Sequence, residues 1–190
     1  MKTKTSVVLY AALILPVAGL VLAAKSPQDA KAAQVARGKY LVSVIGCNDC
    51  HTPIKMGPKG PEPDMSRYLS GHPADANFPP PPKLAQGPWF AVVGGFTAWA
   101  GPWGISYSAN LTPDKNTGLG IWTEDMFIKT LRTGKHFGVA RDLLPPMPWQ
   151  NFATMTDEDL KAVYAYLQTI PPVRNQVPEP VPPTGPMSLE

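Results

Sequence analysis

The 190-residue chain has only two cysteines, Cys47 and Cys50, and only three histidines, His51, His72 and His136. Two cysteines exclude a multi-disulfide framework. A structural zinc site needs two further soft ligands, and His72 and His136 lie at unrelated spacings. Charge is scarce as well: Asp, Glu, Lys and Arg make up 16% of the chain, and the formal net charge is +3. Lys2 and Lys4 contribute two of those charges, so the chain beyond them stands at +1. A nucleic-acid partner needs a concentrated basic face, which this composition does not provide. There is no internal repeat, and no βαβ pattern of the kind that frames a thioredoxin-like dithiol. Proline is abundant instead, with 24 residues, more than twice the ordinary usage of about 5%.

Both cysteines fall in one stretch, Cys47-Asn48-Asp49-Cys50-His51. C-x-x-C-H is the signature of covalent c-type haem attachment. Two cysteines three apart on a helical turn can each form a thioether with one haem vinyl group. The histidine after the second then turns its imidazole onto the iron as proximal ligand. No thiol is left over for a disulfide or a nucleophile. A single motif implies a single haem c, attached through Cys47 and Cys50.

Attachment of this kind takes place outside the cytoplasm, and the N-terminus agrees. Lys2 and Lys4 precede an uncharged run from Ser6 to Ala24 rich in Val, Leu, Ile and Ala. Residues 1–24 read as a signal peptide cleaved before Ala24 or as a retained N-terminal membrane anchor. Both readings place the rest of the chain in the periplasm, soluble in one case and tethered by residues 6–24 in the other. The remainder, about 165 residues, suits one domain. The expected division is a domain over 25–173, with a long loop insertion at 53–113, and a Pro-rich C-terminal tail at 174–190.

The fold class predicted is mainly α, with three main helices separated by proline-rich loops. The first runs from about Asp29 to Ile45, with Val35, Gly38 or Lys39, and Val42 at helical spacing and Tyr40 and Leu41 beside them, and Gly46 breaks it. The second runs from Glu124 to about Thr133, capped by Thr123 and stopped by Gly134. The third starts at the capping pattern Thr156-Asp157-Glu158-Asp159, carries Leu160, Val163, Tyr164 and Leu167 as one stripe, and ends at Pro171-Pro172. Between His51 and Thr123 helical pattern is weak. Pro79 to Pro82 reads as polyproline II. Trp89–Val93 and Phe96–Trp99 flank Gly94-Gly95 as a small β-hairpin. Its aromatic residues either pack on haem or form a satellite cluster that stabilises the loop.

The order of these parts resembles class I cytochrome c: an N-terminal helix, C-x-x-C-H, a methionine between prolines, and a C-terminal aromatic helix. Gly38 with Tyr40, and Tyr164 with Leu167, resemble that family's contact between first and last helices. Ser108-Ala109-Asn110-Leu111-Thr112-Pro113-Asp114, Gly118-Leu119-Gly120-Ile121-Trp122-Thr123 and Met147-Pro148-Trp149 resemble, more narrowly, the cytochrome subunits of membrane-associated dehydrogenases. The resemblance covers about Val35 to His51 and Gly94 to Val173. It implies a cytochrome c fold around one covalently bound haem. Those subunits commonly carry several haems, whereas this chain has one motif.

The sixth iron ligand decides what such a site does. Met147 lies in Leu144-Pro145-Pro146-Met147-Pro148-Trp149, where prolines reduce the entropy lost in holding a weak thioether on iron. Similarity to the family's ligand loop points the same way, so His51 and Met147 are the expected axial pair. His136 and His72 are the alternatives for bis-His ligation. Six-coordinate iron has no open position, and thioether ligation favours the ferrous state. The expected function is single-electron transfer between redox proteins, such as a dehydrogenase, a quinol-oxidising complex or a terminal oxidase. The alternative is a haem enzyme or gas sensor with Met147 off the iron and Arg141 or His136 on an open side.

Three further features have two readings each. Asn110 and Trp122 either contact haem propionates or serve as plain turn residues. Lys129, Arg132, Lys135 and Arg141 form either a docking rim for an acidic partner or a solvated charged face. The tail from Pro171 lies extended over the domain or has no fixed structure.

Overall fold

A computed structural model of the chain describes residues 26–82 and 88–183. The leader expected over 1–24 and the last seven residues of the tail lie outside the described residues. Among the described residues, no helix is long and apolar enough to cross a membrane.

Helix α1 spans Pro27–Val44. Ser26 caps it, and Asp29 answers in a reciprocal capping box with Pro27 at the first position. Ile45 closes it, and Gly46, at φ 74°, turns the chain directly into the one-turn helix α2, Cys47–His51. Helix α3 spans Glu124–Thr133 between the Thr123 cap and a left-handed Gly134. Helix α4 is a single turn at Trp149–Phe152. Helix α5 spans Asp157–Leu167, with the Thr156 hydroxyl accepting from the Asp159 amide. It ends before Pro171-Pro172, so α1, α3 and α5 form where period and capping chemistry predicted helices.

The core lies where α1, α3 and α5 meet. Leu41 and Val42 pack with Phe127, Leu131, Leu160, Val163 and Leu167. Each such side chain contributes roughly 1.5–3 kcal/mol by leaving water. Helices α1 and α5 touch most closely at Gly38, where a β-carbon would fall on the Ala162 carbonyl and against Tyr166. The aromatic partner of that glycine is therefore Tyr166. Tyr164 instead packs on Phe127 and donates to the Trp122 carbonyl at 2.6 Å. Tyr40 is largely exposed beneath the Arg37 guanidinium, so it takes no part in the crossing.

The long connection from His51 to Thr123 carries more β-structure than its sequence suggests. Strands β1 (Ile54–Gly57) and β2 (Gly60–Pro63) form one antiparallel hairpin. Strands β3 (Ala91–Val92), β4 (Ala98–Gly101) and β5 (Gly104–Tyr107) form a three-stranded antiparallel sheet. The expected hairpin through Gly94-Gly95 is β3–β4, with Val92 opposite Trp99. The other two turns share one device, Gly57-Pro58-Lys59-Gly60 and Gly101-Pro102-Trp103-Gly104. Proline suits the second position of a type I turn and glycine its fourth. Gly60 and Gly104 take φ values of 117° and 92°, open only to glycine at little cost. Phe90 and Phe96 each pack at a tilt on Trp99 at the sheet surface, and both phenylalanines are exposed.

Residues 171–183 of the tail run extended over the domain. The Val173 amide donates to the Thr112 hydroxyl, and Ile105 and Val181 exchange backbone hydrogen bonds of 2.8 and 2.9 Å. Asn175 is buried, and its amide group donates to the carbonyls of Ser70 and His72, both at 2.8 Å.

Candidate haem site

The C-x-x-C-H turn is helical because Gly46 reverses the chain and Thr52 ends the turn in extended conformation. Both cysteines are free thiols and half-buried. Burial pushes the Cys47 thiol up to about 12. The Cys50 thiol is also raised, by burial and then by the Asp49 carboxylate. A redox dithiol carries a thiol held below its ordinary value, and neither cysteine here is lowered. Among the described residues no group of three or more His, Cys, Asp or Glu side chains is placed to hold a bare metal ion.

His51 is buried, and its Nδ1 lies 2.7 Å from the Ala109 carbonyl oxygen. A carbonyl only accepts, so Nδ1 carries the proton and Nε2 keeps its lone pair for a metal. Burial lowers the pKa of the ring, and the Ala109 hydrogen bond offsets part of that. A neutral imidazole with an oriented Nδ1–H is the form that ligates iron. The donor set therefore fits haem c: two unpaired cysteines and a neutral, directed histidine on one helical turn.

Ala109 is held from several sides. The Gly71 amide donates to the His51 carbonyl at 2.8 Å, and a β-carbon on Gly71 would strike the carbonyls of Ser108 and Ala109. Gly71 itself is left-handed at φ 80°. The Leu111 amide donates to Leu69, whose own amide donates to the Thr52 hydroxyl at 3.1 Å. Leu69 is fully buried in a left-handed conformation, a strain of about 1–3 kcal/mol that its surroundings must hold in place. Asn110 donates to Val173 and Thr117 and accepts from the backbone and hydroxyl of Thr112. Its side chain is thus engaged in bracing the loop.

Met147 is half-buried and packs against the same core cluster as Cys47. Its loop is pinned at both ends. The Leu143 amide donates to Gly134 at 2.7 Å, and the Trp149 indole covers Gly134, where a β-carbon would overlap the ring. Between them, the Ser106 hydroxyl on β5 donates to the Pro145 carbonyl at 2.5 Å. Of the other described methionines, Met56 and Met65 are strongly exposed and Met126 is 40% exposed. Met155 packs on the core just before the Thr156 cap.

The remaining histidines have other surroundings. His72 is buried beside Tyr107, with Nδ1 3.0 Å from the Thr97 hydroxyl. His136 lies edge-on to Trp122 at 5.2 Å and to Phe137 at 4.2 Å. The basic cluster before Met147 is mostly paired: Arg132 with Asp157, Lys135 with Asp142, and Arg141 with Glu179. Lys129 lays its stem against Gly138. Three of the four cations thus lie in exposed ion pairs among the described residues, which fits a solvated charged face and leaves the docking reading open.

Sequence reasoning missed Ala109, Gly71, Ser106 and Asn175. Ala109 and Gly71 act through the backbone and leave no side-chain signal. Ser106 and Asn175 are small polar residues whose burial only the fold reveals.

No protein-family model matches the chain. Curated relatives do. The gluconate 2-dehydrogenase cytochrome c subunit of Pantoea cypripedii is 34% identical over 157 residues, 81% of this chain and 27% of the relative. The fructose dehydrogenase cytochrome subunit of Gluconobacter japonicus is 31% identical over 144 residues, 76% of this chain and 23% of the relative. The cytochrome c subunit of the quinone alcohol dehydrogenase of Gluconobacter oxydans is 30% identical over 155 residues, 80% of this chain and 25% of the relative. The chain is similar to dehydrogenase cytochrome c subunits. These cytochrome c subunits are far longer, and the chain spans about a quarter of their length. The resemblance noted in the short motifs thus extends over most of this chain.

Proposed function

We propose that the chain is a monohaem c-type cytochrome that passes single electrons. In this reading α1, α3 and α5 form a cytochrome c fold around one haem c. Cys47 and Cys50 carry the thioethers, and His51 and Met147 are the axial ligands. The domain works in the periplasm, free or tethered to the membrane, with a dehydrogenase as its redox partner. The names of the relatives support that partner, and the observation that carries the whole reading is the buried His51 with Nδ1–H committed to Ala109.

Haem, when bound, supplies a one-electron ferric/ferrous couple. The protein's part is orientation and electronics. The Ala109 carbonyl holds the Nδ1 proton, fixes the ring and makes His51 a stronger donor. The Met147 thioether favours the ferrous state and raises the potential. Prolines on both sides of Met147 keep that weak ligand in place.

Two measurements test the proposal. Haem should stay on the wild-type chain in a denaturing gel, and Cys47→Ser with Cys50→Ser together should abolish that retention. The ferric holoprotein should be low-spin with a weak far-red sulfur-to-iron band. A high-spin ferric spectrum in the intact protein would instead support the enzyme or gas-sensor reading.

A further inference from the structure

We infer that Ser106 is a positioning residue for Met147, and that residues 106–109 act as one spacer between the two axial ligands. The inference rests on the His51/Met147 reading above. Ser106 is buried and donates its hydroxyl to the Pro145 carbonyl at 2.5 Å, two residues before Met147. Three residues further along the same chain, the Ala109 carbonyl holds His51 Nδ1. Three residues of extended chain reach at most about 10 Å. One short segment thus grips both ligand-bearing loops.

That segment is itself rigid. Ser106 is paired with Trp99 within the sheet, and its neighbour Ile105 exchanges two hydrogen bonds with Val181 of the tail. The Ser108 amide donates to Thr97 at 2.9 Å, and its carbonyl accepts from the His72 amide at 2.9 Å. The Trp103 indole donates to the Ser106 oxygen at 3.3 Å, which leaves the hydroxyl proton for Pro145. A histidine holds iron firmly, whereas a thioether is a weak ligand that depends on being presented in place. The Ser106 bond fixes the Met147 loop relative to the segment just after β5 whose Ala109 carbonyl holds His51. It therefore acts on the weaker ligand without touching the iron.

The test compares Ser106→Ala, Ser106→Thr, Met147→Ala and Thr156→Ala in the full-length holoprotein. The readouts are covalent haem, the far-red sulfur band, the reduction potential and the affinity for added imidazole. Ser106→Ala should keep its haem, weaken the far-red band, lower the potential and bind imidazole at least several-fold more tightly. Ser106→Thr, which keeps the hydroxyl, should stay close to wild type. Thr156→Ala removes the α5 cap, which makes no hydrogen bond to residues 106–109 or 143–147, and should lower the unfolding midpoint without moving the other readouts. If Met147→Ala keeps the far-red band, the ligand assignment itself fails. If Met147→Ala abolishes the band while Ser106→Ala keeps wild-type band, potential and imidazole affinity, the ligand assignment stands and the positioning role is overturned. A fall in unfolding midpoint alone for Ser106→Ala would also overturn it, because that is what a purely structural serine does.

Discussion

At the scale of single residues, the neighbourhood of His51 contains both well-satisfied and badly satisfied polar groups. Asn175 makes three side-chain hydrogen bonds, two as donor and one accepting from the Ala74 amide. Ser70, fully buried next to Gly71, has a hydroxyl with no partner among the described residues. A buried polar group without a partner costs about 1–3 kcal/mol. Ser70→Ala should therefore leave stability unchanged or raise it by about 1 kcal/mol. Urea unfolding of the holoprotein checks this, and a lowered midpoint would mean that the hydroxyl has a function in the folded state. The residues nearest the proposed haem were only half legible in the sequence. Cys47, Cys50 and His51 announce themselves by spacing. Ala109 does not, because the atom that matters is a carbonyl that every residue possesses.

At the scale of elements, the helices were readable and most of the strands were not. Capping chemistry marks the starts of α1, α3 and α5: Ser26 with Asp29, Thr123 with the Met126 amide, and Thr156 with the Asp159 amide. The β1–β2 and β4–β5 hairpins escaped because their strands are four residues long and β2 alternates glycine, proline and glutamate. The repeated Gly-Pro-x-Gly turns were the available signal. The α1–α5 crossing was legible as a glycine against an aromatic helix, but its register was off by two residues, with Tyr166 in place of Tyr164. Gly38→Ala tests that crossing. A methyl group there meets the Ala162 backbone, which cannot move aside as a side-chain tip can. The expected loss is about 3 kcal/mol or more, at the upper end of overpacking effects. Differential scanning calorimetry checks it, and a wild-type melting temperature would mean that the two helices can separate freely.

At the scale of the whole molecule, protonation ties stability to pH. Four carboxyls are held below their ordinary value of 3.8. The Ser66 hydroxyl does this chiefly for Asp64 and the Thr117 hydroxyl for Asp114. Arg132 does it for Asp157, and Arg37 for Asp159. Each binds fewer protons folded than unfolded. Their stabilisation is present above the unfolded value and is lost as pH falls through the folded ones. His72 acts in the same direction from a higher start. Burial against Tyr107 and Phe78 lowers it from 6.5, so its neutral form stabilises the fold above that value and the benefit fades as the medium acidifies. Urea midpoints should fall as the pH is lowered, with a shallow first decline that His72→Gln reduces and that His136, also lowered by burial, shares, and a further one in the carboxylate range. A midpoint independent of pH down to about 3 would contradict the assignment.

The contacts around Ala109 also set an order in time. His51 and Ala109 lie 58 residues apart in the chain, and Asn175 and Ser70 lie 105 apart. Helical turns form in well under a millisecond, whereas contacts between such distant segments form slowly because long loops must close first. The five-residue Cys47–His51 turn can therefore form only transiently before the carbonyl that orients its imidazole arrives. A refolding chain should regain helical circular dichroism early and the native near-ultraviolet signal of Tyr107 and its neighbours late. Until the segment carrying Asn175 has docked, the Ser70 and His72 carbonyls are without their native partner, on either side of the Gly71 amide that donates to the His51 carbonyl.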